Sequence, residues 1–196
     1  MLLERIRGIV FEKEARRQNT KVLVCGLNPK FDENLRQDFD VYSQFYPGTK
    51  TAALLNVAGL STAVRQGYDI VHIFADVSQD GFIGGADGST LSGTSLIQNC
   101  CDSGVKLLWV ASSNPPGAYV NGFKPGGNRI NLVMTIDRRG SHFSDFLRGL
   151  LHRMSLGKPM PVAWSEVAPQ SSGHPAHAGL PDTIFSAGHP AAKFSP

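Results

Sequence analysis

The sequence predicts an α/β fold, a three-layer sandwich built on a mostly parallel β-sheet. Three observations carry this prediction. Four compact apolar runs, KVLVCG (21–26), DIVHIFA (69–75), VKLLWVAS (105–112) and INLVMTID (130–137), have the length and continuous hydrophobicity of strands buried on both faces. Stretches of helical character lie between them, and strands that alternate with helices pair in parallel through right-handed crossovers. The stretch from Asp69 to Asn114 shows the whole unit once, as strand, glycine-rich loop, helix and strand.

The elements follow in order. Residues 2–18 carry apolar side chains at Leu2, Leu3, Ile6, Ile9, Val10 and Phe11, a partial helical stripe; a short helix is expected, with a strand as the alternative because IVF is β-rich. The run at 21–26 is a buried parallel strand ending in Gly26. Leu27 to Thr49 holds NPK, FDEN and YPG, which are turn signals, so a loop is expected with one helical turn from Asp32 to Asp38. Lys50 to Gly67 is read as a helix with a glycine stop. Asp76 to Thr90 is a polar, glycine-rich loop. A helix follows from Ser92, its N-cap, to Gly104 at its C-terminal end. Asn114 to Asn128, with PPG and KPGGN, is a long loop. Ser141 to Leu156 is an amphipathic helix, with Phe143, Phe146, Leu147, Leu150, Leu151 and Met154 at helical spacing, capped by Ser141 and ended by Gly157. PMPVAWSEVA opens on prolines, which suit a first helical turn. The remainder is rich in Gly, Ser, His and Pro, with one apolar run at Thr183 to Phe185.

The 196 residues suggest one domain, which buries roughly 70% of its unfolded surface. A net charge of +3 without any run of five basic residues argues against nucleic-acid binding. The three cysteines, Cys25, Cys100 and Cys101, form no disulfide framework and fit a reducing, cytoplasmic setting. Cys25 reads as a core residue, and Cys100 and Cys101 diverge by about 100° on one helix. No apolar stretch is long enough for a signal peptide or a membrane span, so a soluble intracellular protein without membrane contact is expected.

Ligand chemistry in a doubly wound sheet gathers outside the carboxyl ends of its parallel strands. The residues just past the second and third apolar runs are Asp76 and Ser112. The order DIVH strand, DG loop, LSGTSLI, helix, apolar strand, then FSDFLRGLL and GKPMPVAW resembles the CHAT domain, the caspase-like fold of clan CD peptidases. The resemblance covers roughly residues 22–168. It implies an N-terminal extension at 1–20, a CHAT-like domain at 21–168 and a C-terminal tail at 169–196. Members typically carry A-H-G and A-C-x-S motifs where this chain has Ala75-Asp76-Val77 and Ala111-Ser112-Ser113-Asn114. The cysteine that attacks a carbonyl and the histidine that handles its proton are therefore both replaced. A Ser–Asp pair lacks the group that takes and returns the proton, and a carboxylate is a poor base for a hydroxyl.

The resemblance thus implies a catalytically degenerate protein, a pseudo-protease acting as a binding or regulatory subunit in a bacterial defence or signalling system. No cofactor or metal is expected. The partner is a separately encoded protein, with a peptide in the cleft as one occupant, and the binding residues are His72, Asp76, Ser112, Ser113 and Asn114. Other readings of the pair are an engineered Cys→Ser at 112, a different His–Cys couple, and another family. Two other functions stay open: an active peptidase or hydrolase using Ser112, and a Rossmann-like nucleotide sensor whose loop GGADGSTLSG supplies backbone donors. His72 reads as a core histidine and His142 and His152 as surface residues. The H-x-x-H spacing of His174 and His177, with His189 nearby, lacks a carboxylate or cysteine to complete a metal site. Phe39, Tyr42, Phe45 and Tyr46 are too many aromatics for a solvated turn; they pack under the sheet edge or form a partner surface.

Overall fold

The computed structural model describes residues 20–112, 122–123, 130–135, 142–171 and 183–187. The N-terminal extension, Ser113, Asn114, Ser141 and the three tail histidines lie outside the described residues. Five strands form the parallel part of the main sheet: β1 (Val22–Gly26), β2 (Lys50–Ala53), β3 (Ile70–Phe74), β7 (Leu107–Ala111) and β8 (Asn131–Thr135). They stand in the order β2-β1-β3-β7-β8, so the winding direction reverses between β1 and β3. A sixth strand, β9 (Thr183–Ala187), pairs antiparallel with β8. The Gly/Pro-rich C-terminal region therefore contributes a strand to the sheet.

Helices cover both faces, which gives the three layers. On one face lie α2 (Val57–Val64) and α3 (Gly93–Asp102), packed over Leu23, Cys25, Val71, Ile73, Leu108 and Val110. On the other lie α1 (Asp32–Phe45), α4 (His142–Ser155) and α5 (Met160–Ser171), over Val22, Val24, Ile70, Phe74 and Trp109. Strand alternation sends successive side chains to opposite cores, and near-continuous apolar runs satisfy both. Ser92 caps α3 by accepting from Ser95 N, and Gly104 takes the left-handed conformation (φ +78°) just past its end, as the sequence implied.

Three expectations are corrected. The segment from Leu27 to Thr49 is mainly a 14-residue helix, α1. Its buried stripe is Leu35, Asp38, Val41 and Tyr42, and a buried acid at the centre hides the apolar period. Of the four aromatics, Tyr42 and Tyr46 are buried beneath the sheet and Phe45 packs partly against that core, whereas Phe39 is half-buried outside it. The helix expected over Lys50–Gly67 is strand β2 followed by the shorter α2, whose start is set by Asn56 accepting from Gly59 N at 2.7 Å. An edge strand is half-solvated and lacks the apolar run that identifies a central one. Finally, the glycine-rich loop after Ala75 contains a three-stranded antiparallel meander: β4 (Asp76–Val77), β5 (Phe82–Gly84) and β6 (Thr90–Ser92).

The helix pair α4/α5 explains the FLRGLL and GKPMPVAW segments. Gly149 lets Val167 approach closely, since a Cβ there would lie 3.1 Å from its methyl carbon. Glu166 accepts from Lys158 and from Arg153 Nε, the latter at 2.8 Å, tying α5 to the end of α4.

At the amino ends of the strands, Asp69 joins three of them. Its carboxylate accepts from Lys21 N (3.0 Å) and Lys106 Nζ (2.7 Å), and its carbonyl accepts from Lys106 N and Leu107 N. Lys106 is half-exposed and contributes little, whereas Lys21 N has no other acceptor among the described bonds. Asp69→Ala is expected to lower unfolding stability by about 1–2 kcal/mol. A urea midpoint indistinguishable from that of the unsubstituted protein would remove Asp69 from this role.

Candidate functional site

The carboxyl rim at the switch between β1 and β3 is built by short, well-anchored turns. After Gly26, Asn28 accepts from Lys30 N (3.1 Å) and starts a 3-10 turn over Pro29–Phe31. Phe31 stacks on Phe74 at the end of β3, with ring centroids 6.2 Å apart. That contact sets Lys30 above the strand end, where Nζ donates to Asp76 Oδ1 at 2.5 Å. Both side chains are about half-exposed (51% and 41%), so the pair faces solvent and adds little stability.

Asp76 and Ser112 both sit at the rim, as the strand ends implied, but in different settings. Phe74 is level with Ala111, and Ala75 N donates to Ala111 O. Ser112 is therefore level with Ala75, one residue short of Asp76. Asp76 has left the parallel sheet and pairs with Gly84 in the meander. Its carboxylate is engaged by Lys30. Ser112 is 6% exposed, nearly closed to solvent.

His72 belongs to the core and does not line the rim. It is fully buried on the α1 face, with Nδ1 3.3 Å from Tyr42 Oη and Nε2 3.6 Å from Asp38 Oδ2. Cys25 and Cys100 are buried in the core on the opposite face, and Cys101 packs against that same core. Burial pushes the Cys25 thiol up to about 12 and the Cys100 thiol further. Cys101 is raised by partial burial and then by Asp102. The sheet stands between His72 and all three thiols. His152 is exposed on α4. Among the described residues, no histidine–cysteine couple meets at the rim.

The loop between β5 and β6 is closed on itself. Gly85 N donates to Ser89 O, Ala86 N to Leu27 O, Asp87 N to Leu55 O, Gly88 N to Gly85 O, and Ser89 N to Asp87 Oδ1. Every amide from 85 to 89 is thus committed within the chain, whereas an anion site needs several aimed outward. Ser89 Oγ also accepts from Val57 N, so the first turn of α2 is capped twice, by Asn56 and Ser89. The loop lies across the ends of β1 and β2, at the edge where a sensor of this class would take its ligand.

Among the described residues, no group of three or more His, Cys, Asp or Glu is placed to hold a metal, and no helix is long and apolar enough to cross a membrane. The sequence reading missed Lys30 and the closure of the 85–89 loop. Lys30 had a usable signal, since a cation two residues after the first strand's end falls at the rim by topology alone. Comparison with protein families and with curated proteins finds no match for the chain.

Proposed function

We propose that this chain is a catalytically degenerate CHAT-like protein that serves as a binding or regulatory subunit, cytoplasmic and in a bacterial defence or signalling system. The observation that supports this reading is the chemistry of the rim. The position that would hold the proton-handling imidazole is Asp76, tied to Lys30, and the position of the nucleophile is Ser112, nearly closed to solvent. Hydroxyl attack on a peptide carbonyl needs an adjacent base that both takes and returns a proton. Lys30–Asp76 is instead a solvent-facing pair of opposite charges, suited to polar recognition of a protein partner or of a peptide laid along the rim.

A fluorophosphonate probe tests the reading. The expected outcome is no stoichiometric labelling at Ser112. Labelling to one equivalent that disappears in Ser112→Ala would establish an activated serine and replace this proposal with a hydrolase. A nucleotide-sensing role is disfavoured by the committed amides of residues 85–89.

A further inference from the structure

We propose that Asp38 and His72 form a proton-dependent latch that fastens helix α1 to the sheet. Both side chains are fully buried, and they come from different layers, Asp38 from the middle of α1 and His72 from the middle of β3. Imidazole Nε2 lies 3.6 Å from Asp38 Oδ2, and Nδ1 lies 3.3 Å from Tyr42 Oη. The imidazole also stacks on Trp109, at 5.1 Å and 7° between planes, and on Phe74, at 4.8 Å and 24°.

Full burial disfavours a charged ring, and the latch requires these neighbours to offset that cost. The carboxylate attracts an imidazolium, and two aromatic faces add their negative quadrupoles. Tyr42 remains a neutral phenol, because burial and then Asp38 and Tyr46 raise its titration well above the ordinary range. With the proton on, Nδ1–H donates to Tyr42 Oη and Nε2–H faces Asp38, so both ring nitrogens bind α1. With the proton off, the charge that holds Asp38 to β3 is lost.

Around His72, α1 brings Asp38 and Tyr42, with Tyr46 one turn on, and the register neighbours are Val24 of β1 and Trp109 of β7. Helix α5 adds Met160, Ala163 and Val167 to the same core, its Glu166 pairing with Lys158 and Arg153. The residues that α4 contributes to this core are apolar: Phe143, Phe146, Leu147, Leu150, Leu151 and Met154. The charged Asp145 and Arg148 of α4 pair with each other at the surface. Imidazole titrates near neutrality, which makes such a contact sensitive to physiological pH changes. The latch places the folded midpoint of His72 above its unfolded one, so its contribution is fully present at low pH and is lost as pH rises through the folded midpoint. Helix α1 follows directly on the turn that presents Lys30, so loosening α1 reaches the rim, although the latch does not depend on what binds there.

The test uses the full chain, isotope-labelled. The His72 ring resonance and the amide exchange of α1 are followed from about pH 5.5 to 9, with exchange corrected for its intrinsic pH dependence. In the unsubstituted protein the two profiles are expected to share one midpoint, with α1 exchange about tenfold faster above it. Asp38→Asn is expected to lower the His72 midpoint by about one pH unit or more. His72→Gln is expected to abolish the pH dependence of α1 exchange, and serves if Asp38→Asn does not fold. A His72 midpoint unchanged by Asp38→Asn, pH-independent α1 exchange in the unsubstituted protein, or the same pH dependence in His72→Gln would each overturn the latch.

Discussion

Trp109→Ala is expected to destabilise the protein by about 3–5 kcal/mol, the largest loss for any single truncation considered. Trp109 is fully buried at the centre of the sheet face covered by α1, α4 and α5. Its indole stacks on His72, meets Phe143 edge-on at 5.9 Å and approaches Trp164 of α5 at 6.0 Å. One side chain therefore touches groups from β3, α4 and α5, and its removal opens a cavity that none of them can fill alone. Thermal unfolding gives the check, with a fall of roughly 10 °C or more for a chain of this size. A fall under about 2 °C would show that the three-layer contact on this face is not as described. Trp109→Phe keeps the stacking plane and is expected to recover a large part of the loss.

Gly85→Val is the second large effect, and it acts at the rim. A Cβ at Gly85 would stand 2.8 Å from Asn56 Cα, 2.7 Å from Ser89 Oγ and 2.9 Å from Asp87 Oδ1. The first is backbone at the cap of α2 and cannot swing aside. The other two are held by the hydrogen bonds that close the loop. A branched side chain must therefore lift residues 85–89 off the ends of β1 and β2. The expected loss is about 1–3 kcal/mol, from overpacking and from uncoupling the Ser89 contact to Val57 N. Limited proteolysis should show new cleavage between β5 and β6. Unchanged stability together with unchanged protease resistance would mean that the loop does not rest on the sheet edge.

The parts of the fold legible in the sequence are those whose residues face a single demand. The cores of β1, β3, β7 and β8 are buried on both sides, so their apolar runs declare them. Helix α4 has one apolar stripe and a polar back. Helix α3 is bracketed by Ser92 and Gly104, whose roles are local. What was illegible depends on tertiary context. Helix α1 buries Asp38 where an apolar residue would complete the pattern, because His72 from a distant strand receives it. Strand β2 is an exposed edge whose only sheet partner among the described residues is β1, and the meander strands are too short to show a period of two. At the site, Asp76 and Ser112 could be placed at the strand ends by topology. That Asp76 turns away to Lys30 depends on Phe31 packing against Phe74, a contact no spacing announces.

The antiparallel pairing of β9 with β8 has a consequence for any shortened form of this protein. Both neighbours of β8 are needed to satisfy its backbone, β7 on one side and β9 on the other. A chain cut ahead of Thr183 would leave the outer row of amides and carbonyls of Asn131–Thr135 bare, on a strand whose side chains at 132–134 are apolar and buried. Such an edge is a template for another chain's strand, so truncation there is expected to favour self-association through β8.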